Sequence, residues 1–220
     1  MKFCLTKLKI QMQMTNNINY QKQLDKIIQG LGEKAPSLLL HTCCAPCSSY
    51  CIEYLSNHFN ITVLYYNPNI YPESEYIHRK AEQIRLIGEM KTKYPVKIID
   101  CDFESEKFYE AVNGMENCRE GGERCFKCYR LRLTQAARVA SQNGFDYFTT
   151  SLTISPLKNA GKINEIGEEL AKEYGVKFLP SDFKKKEGFK RSIELSKEYN
   201  LYRQNYCGCV YSQKRLENSD

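Results

Sequence analysis

Two groups of cysteines in this chain have the type and spacing to hold metal: Cys43 and Cys44 with Cys47, in His41-Thr42-Cys43-Cys44-Ala45-Pro46-Cys47, and Cys125 with Cys128. The gap of two residues in the second group lets both thiolates converge on one centre. A structural zinc site usually shows two separated C-x-x-C knuckles, and adjacent Cys43 and Cys44 fit that pattern poorly. An iron-sulfur cluster is wider than one ion and takes four thiolates from varied spacings, so a cluster fits better than zinc. A third pair, Cys207-Gly208-Cys209, is close enough for a strained, easily reduced disulfide. Two buried apolar thiols would fit it equally well. Cys4, Cys51, Cys101 and Cys118 have no partner at diagnostic spacing. Cys4 and Cys101 read as ordinary thiols, Cys51 as packed on its helix one turn after Cys47, and Cys118 is left open.

Lys184, Lys185, Lys186, Lys190 and Arg191 gather five positive side chains around a helix start. A charge run is usually a solvated face. Here Phe183 and Phe189 flank it, with Tyr199, Tyr202 and Arg203 further on, a mixture that suits phosphate contact with stacking on a base. His41, at the end of an apolar run, reads as a core histidine, and His58 and His78 read as surface residues.

The elements that position these residues alternate between strand and helix. Ser37 to His41 reads as a buried strand, the Ala45-Pro46 step cannot continue it, and helical periodicity runs on to His58. Strand Ile61 to Tyr66 follows, then a helix from Glu73 with Ile77, Ala81, Ile84 and Gly88 on one face, and strand Val96 to Asp100. A helix near Glu104 to Val112, a loop Asn113 to Glu123, the Cys125 group and a helix to Gln142 come next. Strand Phe145 to Thr150 precedes an amphipathic helix carrying Ile163, Ile166, Gly167, Leu170, Ala171 and Tyr174. Strand Val176 to Leu179 closes the sheet, and the tail holds a helix near Gly188 to Tyr199. This order predicts an α/β fold, a single-domain Rossmann-like parallel sheet flanked by helices. Both metal-type cysteine groups then fall on turns that the sheet can bring to one edge, at the carboxyl ends of its strands where ligands bind.

The chain's 220 residues, 42% of them hydrophobic, suffice for one sizeable core. Residues 1–35 read as a polar N-terminal extension with an amphipathic helix around Tyr20 to Leu31, and residues 36–220 as the catalytic domain with a helical tail. The first residues are too often interrupted by lysine for a signal peptide, and no apolar run approaches membrane-spanning length. The expectation is a cytoplasmic protein with no membrane partner, in which eleven cysteines bind metal or carry electrons rather than form a disulfide scaffold. A net charge of +6 permits a polyanionic partner without demanding one.

Five stretches, in order, resemble the QueH family of epoxyqueuosine reductases: His41 to Cys47, Gly121 to Leu133, Phe148 to Asn159, Ser181 to Lys185, and Leu201 to Cys209. The resemblance spans Leu38 to Ser212 and leaves residues 1–35 outside it. It implies two-electron removal of the epoxide oxygen from epoxyqueuosine at the wobble position of tRNA with a GUN anticodon, giving queuosine and water. It also implies kinship with adenine-nucleotide hydrolases and PP-loop (HUP-like) enzymes. Those relatives need a Ser-Gly-Gly-type phosphate loop where this chain has Thr42 to Cys47, a turn suited to metal. By motif match, Cys43, Cys44, Cys125 and Cys128 would hold a 4Fe-4S cluster, with Cys47 as ligand to an additional mononuclear iron that could act as Lewis acid on the epoxide oxygen. Cys207 and Cys209 would be a local electron store, as a dithiol that becomes a disulfide, fed by an external electron donor. Asp182 and Lys184 are the candidate acids for the leaving oxygen. Two rival functions share much of this pattern: a zinc-stabilised RNA-binding module without catalysis, and an ATP-dependent PP-loop-type tRNA-modifying transferase.

Overall fold

The computed structural model describes residues 18–217; Cys4 and most of the polar extension lie outside them. Five strands form one wholly parallel sheet: β1 Ser37–Thr42, β2 Asn60–Tyr65, β3 Lys97–Asp100, β4 Tyr147–Thr150 and β5 Lys177–Phe178. Their order in the sheet is β3-β2-β1-β4-β5, with Leu40 level with Val63 on one side and Thr149 on the other. The chain builds outward from β1 to β3, then returns to lay β4 against the other side of β1. The carboxyl ends of β1 and β4 therefore flank a topological switch point, where open α/β sheets leave a crevice for ligands.

Successive residues of β1 face opposite sides of the sheet, and both sides are dry. Leu39 joins Leu64 and Phe148 beneath two helices, α5 Glu123–Gln142 and α6 Ala160–Tyr174. Leu38 and Leu40 join Val63, Ile52 and Phe183 on the other side, beneath α1 Tyr20–Leu31 and α2 Ala45–Leu55. Leu24 of α1 is fully buried in that second layer, so the described part of the N-terminal segment packs on the same core. Each buried leucine contributes about 1.5–3 kcal/mol of transfer free energy. The remaining helices are α3 Glu73–Glu89, α4 Ser105–Ala111, α7 Gly188–Glu198 and α8 Val210–Glu217.

Three local expectations differ from the structure. On α3 the residues facing inward are Tyr76, Arg79, Gln83 and Leu86, while Ile77 and Ile84 are exposed; Tyr76 and Leu86 pack in small apolar clusters, and between them Arg79 donates to Cys207 O and Gln83 accepts from Ser48 Oγ. Cys125 and Cys128 lie within the first two turns of α5 rather than on a turn before it. Residues 210–217 form a helix that no periodicity announced. The turn from β1 into α2 is not a glycine-rich phosphate loop: Cys44 itself takes the N-cap position in extended conformation (φ −167°, ψ 152°), and Pro46 sits in the first turn of α2.

Candidate metal centre

At the carboxyl end of β1 the chain turns sharply into α2, and three thiols crowd there. The sulfurs of Cys43, Cys44 and Cys47 all lie within 4.8 Å of one another, with Cys43 Sγ to Cys44 Sγ at 3.9 Å. Three mutually close thiols do not ionise alike. Hydrogen bonds from Cys43 and Cys47 pull the Cys44 thiol well below its ordinary pKa, and contact with the sulfurs of Cys43 and Cys44 pushes Cys47 well above. One thiolate is thus favoured before any cation arrives, and a cation would favour all three.

The second group approaches from α5. Gly121 N–H donates to Cys125 Sγ at 3.2 Å, and Cys128 is buried against Phe108 and Val112 with Cys209 beside it. Burial raises the Cys125 thiol and pushes Cys128 up to about 12, with the neighbouring Cys207 adding to both. Cys207 and Cys209 are free thiols, so the expected disulfide is not present; burial and the neighbouring Cys207 push Cys209 up to about 11.

One cavity of about 170 Å³ joins the groups, lined by Cys43, Cys44, Cys47, Cys125 and Cys207. Its rim comes from the segment after β4, Ser155 to Lys158, and from Arg203 to Tyr206. Burial alone would lower the Lys158 ammonium, but Cys207, Cys43 and Cys47 around it raise it overall. The donor set is sulfur-rich, which suits iron-sulfur and zinc centres alike. Two buried guanidinium nitrogens, Arg79 Nη2 and Arg132 Nη2, have no hydrogen-bond partner in the protein, and both side chains lie in electrostatic reach of the site cysteines. A negatively charged group held by those cysteines would answer the two buried positive charges.

Other sequence candidates lie elsewhere. Lys184 pairs with Asp182 at 2.7 Å and donates to Thr153 O at 3.1 Å, and neither residue lines the cavity. Cys51 is buried with its thiol on Cys47 O at 3.4 Å; Cys101 and Cys118 do not line the cavity. His41 is a core residue with both ring nitrogens engaged, by Thr150 Oγ1 at 2.9 Å and Tyr66 O at 3.1 Å. Burial, with Arg132 adding to it, lowers its pKa to about 4, so it stays neutral. Phe183 is 1% exposed and cannot stack on a base. Most of the basic run is already paired: Lys186 with Asp25, Lys190 with Glu187, and Arg191 with Glu53. The sequence reading gave no role to Arg79, Arg132 or Lys158. A buried charge inside a helical pattern is visible only once the buried face is known: Arg79 lies three residues after Tyr76 and seven before Leu86, on a face of α3 that the apolar spacing did not mark.

A family model described as "Epoxyqueuosine reductase QueH" matches residues 38–215. Proteins named epoxyqueuosine reductase QueH match over most of the chain. The one from Staphylococcus epidermidis is 45% identical over 89% of this chain and 84% of its own. The Streptococcus pyogenes serotype M1 protein is 42% identical over 92% and 81%, and the Staphylococcus aureus protein 44% identical over 89% and 84%. Among solved structures, the U34-tRNA thiolase NcsA from Methanococcus maripaludis with its 4Fe-4S cluster is matched at 14% identity over 90% of this chain and 71% of that one, with a TM-score of 0.47.

Proposed function

The chain belongs to the QueH family of epoxyqueuosine reductases, which makes it an oxidoreductase, and from that premise we propose how its own residues carry out the reaction on tRNA. Cys43, Cys44, Cys125 and Cys128 would hold a 4Fe-4S cluster, and Cys47 would be a ligand to one further iron. When bound, such a centre supplies single electrons and a Lewis acid for the epoxide oxygen. The observation that carries the reading is the single cavity in which cysteines from all three sequence groups meet, at the crevice between β1 and β4.

The balance of the reaction assigns work to the protein. Removing the epoxide oxygen breaks two C–O bonds, forms a C=C bond and releases water, at a cost of two electrons and two protons. The dithiol of Cys207 and Cys209 holds that complement: oxidation to a disulfide yields two electrons and two protons, and an external donor must then reduce the pair. Lys158 is better placed than Asp182 or Lys184 to deliver a proton, because it lines the cavity and they do not. Walls of Tyr129, Pro156 and Leu157 complete the pocket, and Phe189, which also lines it, offers an aromatic face to the modified base. The substrate is tRNA carrying epoxyqueuosine, and a cytoplasmic location suits free thiols; no helix among the described residues is long and apolar enough to cross a membrane.

The test is iron and acid-labile sulfide content, with an absorption spectrum, on protein purified without oxygen, followed by turnover of epoxyqueuosine-containing tRNA. Brown protein with cluster-level iron and sulfide is the expected result. Colourless protein with stoichiometric zinc and full turnover would overturn the cluster, and dependence on ATP would point to the transferase reading instead.

A further inference from the structure

Two guanidinium groups are buried against the cysteines. Arg79 of α3 and Arg132 of α5 are each 1% exposed. Each is tethered to the backbone of a site cysteine: Arg79 Nη1 donates to Cys207 O at 3.3 Å, and Arg132 Nε donates to Cys128 O at 3.3 Å. Each also has its Nη2 buried with no hydrogen-bond partner in the protein. The two therefore stand on opposite strands of the same problem, one beside the C-terminal cysteine segment and one beside the α5 cysteines.

Their charges are incompletely answered. Arg79 is bonded to Glu75 at 2.7 Å, but among the described residues no carboxylate pairs with Arg132. Arg132 lies in electrostatic reach of Cys128, Cys43 and Cys207, of the phenol of Tyr129 and of the His41 ring. Arg79 likewise lies in electrostatic reach of Cys44 and Cys43. A guanidinium is always charged, and burying one without an opposite charge is costly. Orphaned buried donors in a folded protein call for an acceptor that the polypeptide alone does not supply. Thiolate-ligated iron-sulfur groups carry surplus negative charge and accept hydrogen bonds at sulfur, and both properties set their potential.

We infer that Arg79 and Arg132 are positioning residues for the metal centre, whose permanent charges and free Nη2 donors counter the negative charge of the cysteine-held cluster and raise its reduction potential. Arg79 has a second task. It fixes the Cys207 segment over the site, with its guanidinium 5.1 Å from the Tyr206 ring centre. A side chain at Gly208, where φ is +109°, would place a Cβ 2.8 Å from Arg79 Nη1, so the glycine between the two cysteines is what lets the segment close down on the arginine. This inference rests on the iron-sulfur reading proposed above.

The experiment uses full-length wild type and the variants Arg79→Gln, Arg79→Lys, Arg132→Gln and Arg132→Lys, reconstituted with iron and sulfide without oxygen. Iron and sulfide per chain are measured first, then the cluster's reduction potential by electrochemical titration followed by electron paramagnetic resonance. The Gln variants are expected to keep their iron and to show about a tenfold lower ratio of reduced to oxidised cluster at a fixed potential, about 59 mV for a one-electron couple. The Lys variants keep the charge and shift less. Iron lost from a Gln variant but kept by the matching Lys variant also supports the inference, because charge is then what the site requires. Wild-type potential in iron-loaded Gln variants overturns it, as does loss of iron from Gln and Lys variants alike, which would make each arginine a matter of shape. The two positions are measured separately, so a folding failure at one leaves the other informative. A wild type that takes up no iron overturns the cluster reading and this inference together, whereas a loaded wild type with unmoved variants overturns this inference alone.

Discussion

A thiol's role depends on what its neighbours do to its charge, and the ten described cysteines divide on that basis. Cys43, Cys44 and Cys47 compete for one proton arrangement within 4.8 Å, whereas Cys51 sits behind them, fully buried and bonded to Cys47 O. Replacing Cys43, Cys44, Cys125 or Cys128 by Ser should lower iron and sulfide content sharply, measured by chemical assay. Cys51→Ser should leave both unchanged. Cys207→Ser and Cys209→Ser separate structure from chemistry: turnover should fall to background while the absorption spectrum of the cluster persists. Loss of the spectrum would make these two ligands, and unchanged turnover would make them ordinary buried thiols. Cys43, Cys44, Cys47, Cys125 and Cys207 were legible from spacing and motif because sulfur chemistry is carried by residue type. Arg79 and Arg132 were not, because an arginine in a helical pattern reads as solvent-facing until its neighbours are known.

At the scale of elements, strand positions were legible because β1 is a run of Leu38, Leu39 and Leu40 that only a strand covered on both sides can bury. The inward face of α6 was legible too: Ile163, Ile166, Gly167 and Leu170 recur at helical spacing and all are buried. The face of α3 was misread. Ile77 and Ile84 read as an apolar stripe, yet they are exposed, and the buried stripe of Tyr76, Arg79, Gln83 and Leu86 mixes apolar packing with hydrogen-bonded polar groups. Ser48 Oγ donates to Gln83 Oε1 at 2.7 Å across the α2–α3 interface, and such a pairing has no period to detect. Close approach is equally hidden in sequence. A Cβ at Gly167 would come within 2.4 Å of the Phe178 ring, so Gly167→Ala should overpack the contact between α6 and β5. The expected cost is about 1–3 kcal/mol, read as a lower midpoint in denaturant unfolding of the apo protein, with Gly88→Ala as the control. Nothing lies within 4 Å of a Cβ at Gly88, and that helix-interior substitution should be neutral or stabilising by up to about 1 kcal/mol.

For the molecule as a whole, the remaining question is how it grips a polyanion with a net charge of only +6. The run from Lys184 to Arg191 looks, in sequence, like four or five phosphate contacts, which would give a log-log salt slope of roughly −3 on the rule of about 0.7 per contact for single strands. In the folded protein four of those five groups are held by Asp182, Asp25, Glu187 and Glu53. A phosphate that recruits Lys186 must first leave Asp25 unpaired, so each such contact returns less than a free cation would. Arg203 differs. It lines the cavity, donates to Ser192 O and Ser196 Oγ, and among the described residues pairs with no carboxylate. The expected slope for tRNA binding is therefore shallower than −3. Arg203→Ala should remove about 0.7 of it, whereas Lys186→Ala should remove less because it also frees Asp25 from its partner. The measurement is the dissociation constant for tRNA across a salt series for wild type and both variants. A larger loss of slope for Lys186→Ala than for Arg203→Ala would move the phosphate path from the mouth of the cysteine cavity to the α1–α7 face, where Asp25 and Lys186 meet.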